Sequence, residues 1–229
     1  MNSKKIRLWD LPIRIFHWTL VIALLAAVVT GQLGGNLMDW HGQIGVFIVG
    51  LLAFRVVWGF AGSTYARFGQ FFPTPARIKA YLAGEWRGEG HNPLGALSVF
   101  GLILLLTVQV LTGLFANDDI AFTGPLADLV SRDTSNALTG LHHLMSNALI
   151  ALVGLHIAAI VFYVKVKKNN LVKPMVTGWK EGESAKSAKG GGALALIIAL
   201  LIAAGTVYGA SGAWLPEPPP PSVVETPSW

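Results

Sequence analysis

Five stretches of this chain are each about as long as a bilayer is thick, and they dictate most of what it can fold into. They cover roughly residues 13–33, 41–60, 94–116, 138–164 and 193–214. A helix needs ~20 apolar residues to cross the hydrocarbon core. Inside lipid every backbone N–H and C=O must be satisfied within the segment, so each stretch is expected to be a transmembrane helix. Charged residues make up 13% of the 229, about half the share of an ordinary soluble domain. The first stretch is too long for a cleaved signal peptide and lacks a small-x-small cleavage site. Its start is marked by Asp10, a capping residue, and Pro12, which suits the first helical turn.

The loops give the orientation. Lys4, Lys5, Arg7 and Arg14 precede or open the first span. Arg67, Arg77, Lys79 and Arg87 lie between the second and third, and seven lysines from Lys165 to Lys189 lie between the fourth and fifth. The opposite loops hold Arg132 against Asp39, Asp118, Asp119, Asp128 and Asp133. The positive-inside rule then places the N-terminus in the cytoplasm and the C-terminus outside. The net charge of +5 is a topology signal, and nucleic acid is not expected as a partner. Membrane lipid is.

The chain divides accordingly. Residues 1–168 form a four-span unit and residues 169–192 a Gly/Ser/Lys-rich cytoplasmic linker. Residues 193–215 form an added fifth span, and residues 216–229 a Pro-rich external tail that cannot be helical. Between the second and third spans, "FFPTPARIKAYLAG" reads as a short interfacial helix starting near Pro75. It is placed either to anchor at the interface or to frame a quinone pocket.

No cysteine is present. Disulfides, iron–sulfur clusters and covalently attached c-type haem are excluded. The chemistry has to come from six histidines. His91, in "GEGHNP", reads as a solvated loop residue; the other five lie in or at the ends of spans. A helix turns ~100° and rises ~1.5 Å per residue. His142 and His156, fourteen apart, therefore share a face within about 40° and stand about 21 Å apart. His143 points about 140° away from His156, so His142 is the functional member of the adjacent pair and His143 a neighbour at the interface.

Topology then sorts four histidines by depth. His17 and His156 fall on the inner side, His41 and His142 on the outer. A lone intramembrane histidine is often a helix–helix hydrogen-bonding residue. Zinc sites gather three or four ligands at one depth, commonly with acids, and the first four spans contain no Asp or Glu. Two depth-matched pairs suit two six-coordinate b-type haems, each iron taking one axial nitrogen from each of two helices. No catalytic side chain is expected.

Arg55 lies fourteen residues after His41, on the same face and at the depth of the inner pair. A buried arginine needs an anionic partner. With no acid in these spans, a haem propionate would serve through a bidentate contact. Arg14 and Lys165 are weaker candidates for that role.

"WDLPIRIFHW", "WHGQIG", "LTGLF" and "LHH…GLH" resemble the bacterial cytochrome b561 family, which includes the b-type cytochrome subunit of nickel–iron hydrogenases. The resemblance covers about residues 5–168. It implies an all-α integral membrane protein of the bacterial inner membrane. Its core would be a four-helix bundle holding two haem b groups on His17, His41, His142 and His156. It further implies electron transfer between quinone and a periplasmic partner such as a c-type cytochrome. The alternative is the membrane anchor and electron-transfer subunit of a larger dehydrogenase or hydrogenase-like complex. The fifth span and the Pro-rich tail lie outside the family core, and a homodimer is left open.

Overall fold

The computed structural model describes residues 4–120, 122–182 and 186–216. Most of the expected Pro-rich tail lies outside the described residues. All five expected spans are helices: α1 Leu11–Leu33, α2 Met38–Ala61, α5 Pro93–Leu114, α6 Arg132–Lys165 and α8 Ala193–Ala210. Shorter helices are α3 Phe68–Phe71, α4 Pro75–Leu82 and α7 Val172–Thr177.

The helix starts follow from local chemistry. Asp10 caps α1, its Oδ1 accepting the Ile13 N–H at 2.7 Å, and Pro12 sits in the first turn. Asn92 does the same for α5, accepting from Gly95 N at 2.7 Å with Pro93 next to it. Thr74 caps α4 ahead of Pro75, as "PTPARIKAYL" led one to expect. Each cap satisfies a donor that the first turn leaves free. α1 ends at Gly34, where φ is +63°, a value glycine adopts without strain.

The fourth span begins earlier than its apolar pattern indicates. Ser131 caps the helix, so α6 starts at Arg132 and runs 34 residues, about 51 Å at 1.5 Å per residue. That exceeds a hydrocarbon core of about 30 Å, and the polar turns around Arg132–Asn136 extend beyond the apolar segment.

α2 is the centre of the bundle, packing against α1, α5 and α8, while α6 packs on α5. One apolar cluster joins Ala23, Ile48, Leu52, Leu106 and Leu149; a second joins Trp9, Ile13, Phe16, Phe54 and Trp58. The fifth span is not loosely appended. Gly50 of α2 lets α8 approach so closely that a Cβ there would stand 2.5 Å from Val207 Cγ2. Outward-facing Ile15, Ile22, Leu25, Leu104, Leu155 and Leu201 are exposed, the surface a bilayer would cover.

On the basic side, β1 (Lys4–Arg7) pairs antiparallel with β2 (Trp179–Gly182), Ile6 opposite Lys180. The stretch read as a linker thus contributes α7 and a strand that ties the N-terminus to the segment after α6.

Candidate haem-binding site

The outer pair meets directly. The rings of His41, at the start of α2, and His142, in α6, have centroids 6.0 Å apart and planes at 86°. An iron between two imidazole nitrogens, each about 2 Å from the metal, requires a centroid separation of about 6 Å. Both Nδ1 atoms are occupied by backbone carbonyls. His41 Nδ1 donates to Ala27 O at 2.9 Å, and His142 Nδ1 donates to Gln109 O at 2.9 Å. Fixing the proton on Nδ1 leaves Nε2 as the acceptor, the tautomer a metal ligand needs. His142 Nε2 is used in that sense, accepting from the Gln109 side-chain amide at 2.9 Å.

The inner pair is seated differently. His17 and His156 lie near enough for the charge of one to act on the other. His156 Nδ1 meets Ser98 Oγ at 3.2 Å, whereas His17 Nδ1 is buried without a partner. All four rings are half-buried. His143 is exposed, its ring 6.3 Å from that of His142.

Arg55 is 3% exposed, its guanidinium lies 4.4 Å over the Phe68 ring, and its Nη1 is buried with no hydrogen-bond partner. Asp10, just outside the spans, lies near enough to act on Arg55 electrostatically but makes no ion pair with it. Asp10 is itself engaged as the α1 cap and by Trp58, whose Nε1 donates to Oδ2 at 3.0 Å. Arg55 thus keeps an unsatisfied donor in a buried place, which fits an anionic group such as a propionate. Arg14 donates from one terminal nitrogen to the carbonyl of Val176, and its Nε, like Arg55 Nη1, is buried without a partner. Lys165 is exposed at the end of α6.

His91 departs from the sequence reading. It is not a solvated loop residue but packs between Trp9, at 4.7 Å, and Phe71, at 4.5 Å, with its Nδ1 buried and unpartnered. Burial pushes its imidazole down to about 3, helped by Arg55 and by the rings of His156 and His17. It therefore belongs to the neighbourhood of the inner pair. The only sequence signal was its position one residue before the Asn92 cap, which puts it at the inner end of α5. Among the described residues, no group of three or more His, Cys, Asp or Glu is placed to hold a metal ion.

A family model described as prokaryotic cytochrome b561 matches residues 8–178. Similar curated proteins include the probable Ni/Fe-hydrogenase 1 B-type cytochrome subunit of Escherichia coli K12. It is 24% identical over 136 residues, 46% of this chain and 57% of that protein. The probable Ni/Fe-hydrogenase B-type cytochrome subunit of Rhodobacter capsulatus is 26% identical over 207 residues, 74% of this chain and 79% of its own length. The counterpart from Azotobacter chroococcum mcd 1 is 24% identical over 210 residues, 75% and 87%. The chain thus spans little more than half the length of the Escherichia coli relative. No solved structure gives a significant match. The family match contains four of the five spans and all four paired histidines, and the chain is a multi-pass membrane protein of the prokaryotic cytochrome b561 family, a family of b-type cytochromes.

Proposed function

We propose that this protein carries electrons across the bacterial inner membrane through two b haems, with its N-terminus in the cytoplasm. His17 and His156 would hold the inner haem, and His41 and His142 the outer one. Arg55 would bind a propionate of the inner group. The observation that carries this reading is the outer pair: two rings 6.0 Å apart, each with Nδ1 hydrogen-bonded to a backbone carbonyl, which leaves Nε2 as the acceptor. Haem, when bound, supplies a one-electron iron couple. The chain supplies the axial nitrogens, fixes their tautomer and keeps them in an apolar bundle. Fourteen positions of helix separate His142 from His156 on α6, about 21 Å, so two haems held there would lie at different depths.

The electron donor and acceptor would be quinol or quinone in the membrane and a redox protein on the periplasmic side, such as a c-type cytochrome. The outer loop favours a basic partner, carrying Asp118, Asp119, Asp128 and Asp133 against Arg132 alone. A second reading, the membrane subunit of a larger hydrogenase-like complex, is favoured by the relatives, which are named as hydrogenase b-type cytochrome subunits.

The test is vectorial. Protein reconstituted in liposomes is given quinol, and reduction of external soluble cytochrome c is followed. Quinol-dependent reduction that is lost in His41→Ala and in His17→Ala supports the wire. Haem-loaded protein that passes no electrons to cytochrome c but copurifies stoichiometrically with a dehydrogenase subunit supports the second reading.

A further inference from the structure

The outer histidines are seated by one short pattern, x-Val-x-Thr-Gly, used twice. α1 carries Ala27-Val28-Val29-Thr30-Gly31 near its outer end, and α5 carries Gln109-Val110-Leu111-Thr112-Gly113 near its own. In the first copy, His41 Nδ1 lies 2.9 Å from Ala27 O and 3.5 Å from Thr30 Oγ1. A Cβ on Gly31 would stand 2.9 Å from His41 Cε1. In the second, His142 Nδ1 lies 2.9 Å from Gln109 O and 3.3 Å from Thr112 Oγ1. A Cβ on Gly113 would again stand 2.9 Å from His142 Cε1.

Each imidazole therefore meets the same three features: the carbonyl four residues before the glycine, the hydroxyl one before it, and a bare α-carbon. The receiving helices repeat as well. Arg55 follows His41, and His156 follows His142, by the same fourteen residues. α1 seats the α2 histidine as α5 seats the α6 histidine.

The chemistry of the two copies is equivalent. Thr30 Oγ1 donates to Ala26 O at 2.7 Å, and Thr112 Oγ1 donates to Val108 O at 2.8 Å. With its hydrogen committed to its own helix, each hydroxyl offers lone pairs to the Nδ1–H beside it, adding a second acceptor to the carbonyl. A hydrogen-bonded Nδ1–H makes imidazole a more basic ligand, and a more basic ligand favours the oxidised metal. The glycine lets the ring lie against the helix backbone, where a methyl would collide with it. The inner pair has neither the carbonyl nor the glycine: His17 Nδ1 has no partner, and His156 Nδ1 meets a hydroxyl alone, Ser98 Oγ at 3.2 Å.

We propose that Thr30–Gly31 and Thr112–Gly113 form a duplicated positioning device for the outer pair. It fixes the rotation and tautomer of His41 and His142 and holds the potential of their iron below the value the same imidazoles would give unsupported. This rests on the haem reading above and extends it to residues that touch only the ligands.

The test uses full-length protein purified in detergent. The variants are Gly31→Ala, Gly113→Ala, Thr30→Val and Thr112→Val, with Gly205→Ala as control, because a Cβ there meets nothing within 4 Å. Readouts are haem per chain, the g-values of the ferric low-spin signals and a redox titration. Each glycine variant is expected to fall from two haems to one, losing the same haem as His41→Ala. Each threonine variant is expected to keep two haems, raise the midpoint of that haem and shift its g-values, leaving the other unmoved; Thr30→Ser and Thr112→Ser restore the wild-type values. Threonine variants with both midpoints and g-values unchanged, or shifted together, overturn the proposal even if the glycine variants misfold. Wild-type protein that binds no haem overturns the haem reading and this device with it.

Discussion

The imidazole of His41 faces that of His142 across 6.0 Å, ring planes at 86°, although 101 residues separate them in the chain. The haem reading treats the two as one site, so removing either ligand should have the same outcome. His41→Ala, His142→Ala and the double variant are each expected to hold one haem where the wild type holds two. His17→Ala and His156→Ala should lose the other haem, and His143→Ala none. Pyridine haemochrome quantification per chain decides it. A double variant that loses both haems would show that the two histidines serve different irons.

Arg55 supplies a buried positive charge within α2. A cation stabilises the reduced, less positive iron. A unit charge at about 10 Å in an effective dielectric of about 20 is worth about 1.7 kcal/mol, or about 70 mV on a one-electron couple. Arg55→Gln is therefore expected to lower one midpoint by tens of millivolts and leave the other within a few. Two unmoved midpoints in a redox titration would remove Arg55 from the site.

Asp10 joins two buried features. It caps α1 and accepts from Trp58 Nε1, in a tryptophan that is 0% exposed. Asp10→Ala loses a cap worth about 1 kcal/mol and strands a buried donor at about 1–3 kcal/mol. The thermal midpoint in detergent should fall clearly. Asp10→Asn, which keeps an accepting oxygen, should fall less. Equal loss in both would mean that the carboxylate charge beside Arg55 matters more than its hydrogen bonds.

His91 gives a pH signature. Its imidazole is held near 3 by burial and by Arg55, against about 6.5 in the unfolded chain. Folding keeps it neutral, so this contribution to stability is complete above about pH 6.5 and is lost progressively as pH falls from there toward 3. The wild type should lose thermal stability between pH 7 and 4.5 more steeply than His91→Phe. Parallel curves would refute the assignment.

Much of this was legible because helical periodicity is local. Fourteen-residue steps from His41 to Arg55 and from His142 to His156 gave each pair a shared helix face by arithmetic alone, and caps such as Asp10 and Thr74 announced themselves. What escaped depends on distant segments meeting. β1 pairs with residues about 175 positions away, and no alternation in four residues could predict it. His91 sits in a glycine-rich loop whose composition says solvent; its packing on Trp9 and Phe71 comes from the loop folding back over the inner end of the bundle. Asp10 comes near enough to act on Arg55 because α1 and α2 pack side by side, which the count of acids within spans could not reveal. The early start of α6 followed from Ser131, a cap beyond the apolar run.

The most direct test of the central claim is the haem content of the wild-type protein, purified in mild detergent from cells with ample haem supply. Pyridine haemochrome quantification per chain should be combined with the low-spin ferric spectrum. Two low-spin b haems per chain are expected. One haem would dissolve one of the two histidine pairs, and none would contradict the account.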